Sequence, residues 1–209
     1  MKILLADPHT MVRQGIAKLL SKAYPFAKIR EVADSDELFK LIHRESWDIV
    51  ITEICMQPCN SGLAIIKKIK DVNPASRVLV LSIYDVEQFA VRAMKAGAFG
   101  YLSKEVCFSE IVVAINRILT GKKYITAELG NLLADCIAIG QHDSAENLSD
   151  REFQVLQLLG KGYSVSDVAN QIIVSHNTVS TFRSRIFEKM GFKNNLELIR
   201  YAVDHRLSE

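Results

Sequence analysis

Two periods of apolar residues alternate along roughly the first 120 residues of the chain. Short runs rich in Ile, Val and Leu have the length and composition of buried strands. Between these runs, apolar residues recur every three or four positions, as they do on the buried face of a helix. The five runs that we predict as strands are Ile3–Ala6, Ile29–Ala33, Ile49–Thr52, Val78–Leu81 and Phe99–Leu102.

A helical stripe follows each of these strands, and this alternation is typical of a parallel sheet that is covered on both faces. The run Ile29–Ala33 is the most polar of the five, which favours a position at the edge of the sheet. We therefore predict a doubly wound, five-stranded parallel α/β domain with the flavodoxin-like strand order over residues 1–122.

Polar residues stand where four of the predicted strands end. Asp7 and Glu53 follow the first and third strands, and Ser82 and Lys104 follow the fourth and fifth. Right-handed crossovers bring the carboxyl ends of parallel strands to one edge of a sheet. In the flavodoxin-like order, the first and third strands flank the crevice at that edge. We therefore expect Asp7 and Glu53 to face each other in a candidate site.

A second pattern follows a polar stretch. We predict a linker over residues 123–147, with a short helix over Thr126–Ile139 and a polar, aperiodic segment over Gly140–Asn147. From Leu148 onward the apolar period is helical only. Ser149 and Glu152 have the spacing of a capping box at the start of the first of four predicted helices.

A tight turn separates the second and third of these helices, and Gly191 ends the third, which spans Asn177–Met190. This arrangement is typical of a helix-turn-helix, so we predict an all-α, four-helix domain of that type over residues 148–209. Polar and cationic side chains on the third helix can reach phosphates and base edges. The residues predicted to contact DNA are Asn177, Thr178, Ser180, Thr181, Arg183, Ser184, Arg185 and Lys189.

Composition and charge exclude several classes of protein. The net charge of +2 over 209 residues indicates no partner by itself. No apolar run approaches the roughly 20 residues that span a bilayer, so we expect a cytoplasmic protein that does not enter the membrane. The four cysteines lack paired metal-binding spacing. No nucleophile–base pair or cofactor motif is present, and we expect neither an enzyme nor a metal site.

The first domain resembles the receiver domain of bacterial response regulators. The segments that carry this resemblance, in the order of the family, are Leu4–Asp7, Asp48–Thr52, Val80–Ser82 and Gly97–Lys104. The last domain resembles the LuxR-type DNA-binding domain of NarL/FixJ-type regulators. That resemblance is carried by Leu148–Glu152, Val168–Ala169, Ser175–Val179 and Lys189–Gly191.

The resemblance implies a phosphorylation chemistry for the first domain. In the family, an aspartate after the third strand takes a phosphoryl group from a sensor histidine kinase, and two acids after the first strand hold Mg²⁺. A hydroxyl and a lysine bind the phosphoryl oxygens, and an aromatic on the fifth strand changes its packing. The residues of this chain that match the pattern are Asp7, Ser82, Tyr101 and Lys104.

Two positions depart from that pattern. Glu53 stands at the phosphoacceptor position, and Pro8 replaces the second acid. Mg²⁺ would have to rely on Asp7, Glu53 and water, so we do not expect it as a cofactor. Glutamate is one methylene longer than aspartate, and a displacement of about 1 Å can cost around 10²-fold in rate. We therefore expect no phosphorylation of Glu53.

Two interpretations of Glu53 stay open. It is either a partial mimic of aspartyl phosphate or one member of a structural ion pair in a site that no longer switches. On either interpretation, we predict a transcription regulator that binds double-stranded DNA as a homodimer. The alternatives are a conventional regulator controlled by a sensor histidine kinase, and an interaction adaptor that has lost DNA binding.

Overall fold

The computed structural model describes residues 1–54, 56, 62–83, 86–138, 148–205 and 207. The chain divides into two compact units, Met1–Gly130 and Asn131–Glu209. The predicted linker segment Gly140–Asn147 lies outside the described residues. Among the residues that are described, no helix is both long enough and apolar enough to cross a membrane.

Five parallel strands form the centre of the first unit in the order β2-β1-β3-β4-β5, which confirms the predicted fold class. The strands are β1 (Lys2–Ala6), β2 (Lys28–Val32), β3 (Ile49–Thr52), β4 (Val78–Ser82) and β5 (Gly100–Ser103). Strand β2 lies at an edge, where Lys28, Arg30 and Glu31 are exposed. Strands β3 and β4 are buried along their whole length because helices cover both faces.

Helices follow each strand of this sheet. They are α1 (Thr10–Ala23), α2 (Ser35–Arg44), α3 (Gly62–Val72), α4 (Val86–Lys95) and α5 (Phe108–Leu119). Alternate strand residues share one face of a sheet. On one face, Ile3, Leu5 and Ile51 pack with Leu20 of α1 and Ile115 of α5 in a single apolar core.

The register of the strands brings their carboxyl ends together. Ala6 pairs with Thr52, and Thr52 pairs with Val80. The backbone N–H of Glu53 then donates to the carbonyl of Ala6 at 2.9 Å, so the residues that follow β1 and β3 start side by side. The N–H of Lys104 donates to the carbonyl of Ser82 at 2.8 Å, which aligns the ends of β4 and β5 in the same way.

The segment after α5 is hydrogen-bonded to α5 and to the residue that precedes β5. The N–H of Tyr124 donates to the carbonyl of Phe99 at 2.7 Å, and Nε of Arg117 donates to the carbonyl of Lys123 at 2.9 Å. Residues 123–130, which the sequence placed in the linker, thus belong to the first unit. Helix α6 (Ala127–Ala138) begins within this segment.

After α6, four helices of the second unit form the predicted helix-turn-helix domain. They are α7 (Asp150–Gly160), α8 (Val165–Ile172), α9 (His176–Met190) and α10 (Asn195–Asp204). Ser149 and Glu152 form the predicted capping box at the start of α7. Ser175 caps α9 by accepting from the N–H of Thr178, and Gly191 ends α9 with a φ of 70°. Val179 and Ile186 bury one face of α9.

Two backbone positions in this unit are tightly constrained. Gly160, at the end of α7, lies so close to α10 that a Cβ there would overlap the Cβ of Ala202. Ile173, in the turn between α8 and α9, has a φ of 56°. This left-handed conformation is unfavourable for a β-branched residue. The side chain of Ile173 is 90% exposed, so packing does not offset the strain.

Candidate functional sites

Both carboxylate oxygens of Glu53 are occupied by groups of the protein. Oε1 accepts hydrogen bonds from Oγ of Ser82 at 2.5 Å and from the backbone N–H of Ile54 at 2.7 Å. Oε2 lies 2.8 Å from Nζ of Lys104. Glu53 is only 2% exposed, so these partners replace water around its charge. The strand ends therefore bring Glu53, Ser82 and Lys104 into one buried cluster.

Lys104 also contacts the second carboxylate of the crevice. Its Nζ lies 2.6 Å from Oδ2 of Asp7, so the ammonium is shared between Asp7 and Glu53. Lys104 Nζ and Glu53 Oε2 are buried and have no aligned hydrogen bond to any described residue. The contact is an ion pair held by charge, and charges separated this little in a site that excludes water interact strongly.

Asp7 is oriented by its own loop and by α1. Its Oδ1 accepts a hydrogen bond from the backbone N–H of His9 at 2.8 Å, and its carbonyl accepts one from Nη1 of Arg13 at 2.6 Å. Nε of Arg13 lies 3.6 Å from Oε2 of Glu31 on β2. Arg13 thus joins β2 to the β1–α1 turn. Nothing in the sequence singles out Arg13, because a cation at one position of a helix is not a distinctive signal.

The residues described at this edge of the sheet offer a magnesium ion few free oxygen ligands. Mg²⁺ requires oxygen ligands in nearly ideal octahedral geometry. The Asp7 and Glu53 carboxylates are paired with an ammonium, and the half-buried Pro8 has no ligand oxygen in its side chain. Across the described ranges, no group of three or more His, Cys, Asp or Glu could hold a metal ion.

Tyr101 is fully buried on β5, opposite Val80 of β4. It lies three residues before Lys104 on the strand that leads to the crevice. Because its ring is packed inside the domain, Tyr101 is part of the core in this conformation and not part of the surface.

Six of the eight residues predicted to contact DNA are exposed on α9. Five of them are Asn177, Ser180, Thr181, Ser184 and Arg185, and the sixth is Lys189, which has a partner on another helix. The hydroxyl of Thr181 donates to the carbonyl of Asn177 at 2.9 Å, and that of Ser184 donates to the carbonyl of Ser180 at 3.1 Å. Each hydroxyl uses its proton within the helix, so it faces outward mainly as an acceptor.

Lys189 and the two remaining predicted residues have partners within the domain. The hydroxyl of Thr178 lies 2.8 Å from that of Ser175 at the helix start. The guanidinium of Arg183 lies 5.9 Å from the centre of the Phe187 ring, a cation–π distance. Nζ of Lys189 donates to Oε2 of Glu152 at 2.7 Å. All three residues lie on α9, where Thr178 and Arg183 are half-buried and Lys189 is exposed.

Glu152 has a lowered pKa in this setting. Burial raises the pKa of its carboxyl, but the hydrogen bonds from Lys189 and Ser149 outweigh that effect. The capping box at Ser149 and Glu152 was visible in the sequence. The pairing with Lys189 was not, because 37 positions separate the two residues.

Comparison with known proteins assigns a class to each unit. Residues 3–116 match the family described as "Response regulator receiver domain". Residues 146–202 match "Bacterial regulatory proteins, luxR family". The chain therefore belongs to the LuxR-type response regulators, DNA-binding transcription regulators in which a receiver domain precedes a helix-turn-helix domain. The resemblance seen in the sequence is confirmed at this level.

Two of three relatives cover all or nearly all of this chain, and the third covers 66% of it. "Oxygen regulatory protein NreC" of Staphylococcus aureus (strain JH9) is 30% identical over 216 residues, which cover 100% of both proteins. Among solved structures, RcsB of Salmonella enterica serovar Typhimurium bound to promoter P1flhDC shares the fold with a TM-score of 0.75. It is 24% identical and covers 98% of each chain. A LuxR-family two-component response regulator from Aurantimonas sp. SI85-9A1 is 28% identical, with a TM-score of 0.59, and covers 66% of this chain and 97% of its own.

Proposed function

We propose that this regulator controls transcription as a DNA-bound homodimer, and that its receiver domain acts without phosphorylation of Glu53. One observation carries the proposal. The groups that would bind an incoming phosphoryl group, the hydroxyl of Ser82 and the ammonium of Lys104, are already engaged by Glu53 itself.

Phosphoryl transfer needs an attacking oxygen in line with the phosphorus and cations to neutralise the developing charge. The oxygens of Glu53 are 2.5 to 2.8 Å from internal partners, so neither oxygen is free to attack, and the nearby ammonium of Lys104 is already paired with Glu53. Its carboxylate is also 2% exposed, so a donor would have to displace those partners first. The scarcity of free ligands for Mg²⁺ also supports the proposal, because the conventional reaction depends on a divalent cation.

The two interpretations of Glu53 predict different consequences of removing its charge. A mimic of aspartyl phosphate would bind Ser82 and Lys104, and Glu53 contacts both residues. A structural ion pair makes the same contacts but has no influence on DNA binding. Only the mimic couples the charge of Glu53 to the affinity for DNA.

The experiment uses the full chain and two variants, Glu53→Gln and Glu53→Asp. Wild type is incubated with acetyl phosphate and Mg²⁺, and the mass of the intact protein is measured. We expect no added phosphoryl group on the wild type; stoichiometric modification of Glu53 would favour the conventional, kinase-controlled alternative. Glu53→Asp tests whether the shorter side chain restores modification.

DNA affinity and oligomeric state of the same three proteins then separate the two interpretations. If Glu53 is a mimic, Glu53→Gln weakens DNA binding and dimerisation. The amide oxygen of glutamine can still accept from Ser82, but Lys104 loses the negative charge with which it is paired. Equal affinities in all three proteins would leave only the structural ion pair. Failure of the wild type to bind any duplex would favour the adaptor alternative.

A cytoplasmic location stays a prediction from the sequence.

A further inference from the structure

Lys189 is exposed on α9, but its ammonium is bound to a carboxylate of another helix. Its Nζ lies 2.7 Å from Oε2 of Glu152, and its side chain is 36% exposed. The same Oε2 also accepts the backbone N–H of Ser149 at 2.7 Å. One buried carboxylate oxygen thus joins the first turn of α7 to the last turn of α9.

The rest of α9 is anchored elsewhere along its length. Val179 and Ile186 are fully buried in the domain core. Beyond the helix, the ring of Phe192 contacts Phe187 edge-on, with centroids 6.2 Å apart. Apolar contacts of this kind are not directional, so they permit small rotations of the helix. The contact between Lys189 and Glu152 is directional, because it combines opposite charges with a short hydrogen bond.

Lys189 cannot leave Glu152 for a DNA phosphate without loss elsewhere. The Glu152 side chain is 3% exposed, and a buried carboxylate that loses its cation is strongly destabilising. Arg185 differs in this respect, since it is exposed and no acid among the described residues forms an ion pair with it. The two cations of the same helix therefore have different environments.

We propose that Lys189 and Glu152 form a clasp that sets the direction of α9 for reading DNA, and that Lys189 does not contact the phosphate backbone. The clasp makes both residues positioning residues of the recognition helix. This proposal rests on the LuxR-type domain alone and is independent of the role of Glu53.

The test uses full-length variants on two duplexes. One duplex is selected by the wild type from a random-sequence pool, and the other is a shuffled duplex of the same composition. The variants are Lys189→Gln, Glu152→Gln, the double variant, Lys189→Arg, and Arg185→Ala as the phosphate-contact control. Glu152→Gln retains an oxygen for the N–H of Ser149, so the cap survives. Affinities are measured by fluorescence anisotropy over a range of salt concentrations, well below each variant's unfolding midpoint.

We expect Lys189→Gln and Glu152→Gln each to lower the ratio of selected to shuffled affinity by roughly tenfold, as loss of helix alignment weakens base contacts. The double variant should be no worse than either single variant, because all three lose the same ion pair. Lys189→Arg should keep the ratio. On shuffled DNA, Lys189→Gln should leave the salt slope unchanged, whereas Arg185→Ala should lower it by roughly 0.9.

Two outcomes would overturn the clasp. If Lys189→Gln flattens the salt slope as much as Arg185→Ala while Glu152→Gln tightens binding, Lys189 is a phosphate contact that Glu152 merely restrains. If both variants keep the wild-type affinity ratio and only unfold at a lower temperature, the pair stabilises the domain without positioning α9.

Discussion

At the level of single residues, Lys104 is the side chain that joins the two carboxylates of the crevice. Its Nζ lies 2.6 Å from Asp7 and 2.8 Å from Glu53, and both carboxylates are 2% exposed. Two like charges this close would repel each other without a cation between them. The ammonium of Lys104 therefore offsets the repulsion between the two carboxylates.

Replacing Lys104 by methionine tests this role. The change keeps an unbranched side chain, one atom shorter, but leaves two buried carboxylates without their cation. We expect the free energy of unfolding to fall by about 3–5 kcal/mol, as when a buried ion pair loses one partner. Urea titration measures the loss, and Lys18→Met, at an exposed position of α1, is the matched control.

Magnesium should affect the stability of Lys104→Met and of the wild type differently. We expect added Mg²⁺ to raise the unfolding temperature of Lys104→Met, because its carboxylates are then available as ligands. The wild type should not respond. A large stabilisation of the wild type by Mg²⁺ would contradict the proposed metal-independent site.

Ile173 is a second position where a single residue matters. Its φ of 56° is unfavourable for any residue with a Cβ, and its side chain is exposed. We expect Ile173→Gly to raise the free energy of unfolding by about 0.5–1 kcal/mol, after allowance for the greater freedom of glycine in the unfolded chain. Ile173→Ala is the control, since it removes the side chain but keeps the Cβ. Equal stability of the two variants would mean that backbone strain is not the cause.

At the scale of elements, most helix ends in the second domain coincide with signals in the sequence. Ser149 and Ser175 cap α7 and α9, and Gly191 ends α9, as their positions predicted. Caps act within three or four residues, so a sequence shows them directly. The close approach of α7 and α10 at Gly160 was not predictable, because it depends on how two distant helices pack.

This packing gives a prediction for Gly160→Ala. The new methyl group overlaps Ala202, so α7 and α10 must move apart. We expect a loss of about 1–3 kcal/mol in the free energy of unfolding, the usual effect of overpacking. The reciprocal change Ala202→Gly should recover part of that loss in the double variant. Chemical denaturation of all four proteins gives the coupling energy, and strictly additive effects would rule out a direct clash.

At the scale of the whole molecule, two compact units share one chain, and each carries its own site. The receiver unit has a crevice with its charges paired internally, and the helix-turn-helix unit exposes Arg185 and a row of polar residues on α9. A single helix of this length covers only a few base pairs, so a homodimer is the expected way to gain specificity.

The spacing of DNA half-sites tests the proposed dimer. From the duplex selected by the wild type, variants are made with about 5 or about 10 extra base pairs between its half-sites. Half a helical turn moves the second half-site to the opposite face of DNA, whereas a full turn restores its face. We expect the shorter insertion to weaken binding at least about tenfold and the longer one to restore part of it. Affinity that is indifferent to spacing would indicate independent monomers.

The sequence by itself determined the class of fold, the approximate element bounds and the set of residues at the crevice. The spacing of apolar residues and the capping residues are local signals, and the strand order follows from topological rules. Together they place Asp7, Glu53, Ser82 and Lys104 at one edge of the sheet. Only the tertiary structure decided which atoms meet. It placed Lys104 on both carboxylates, and it joined Lys189 to Glu152 across 37 positions. Pairings of this kind depend on the packing of distant segments, and no local pattern in a single sequence records that packing.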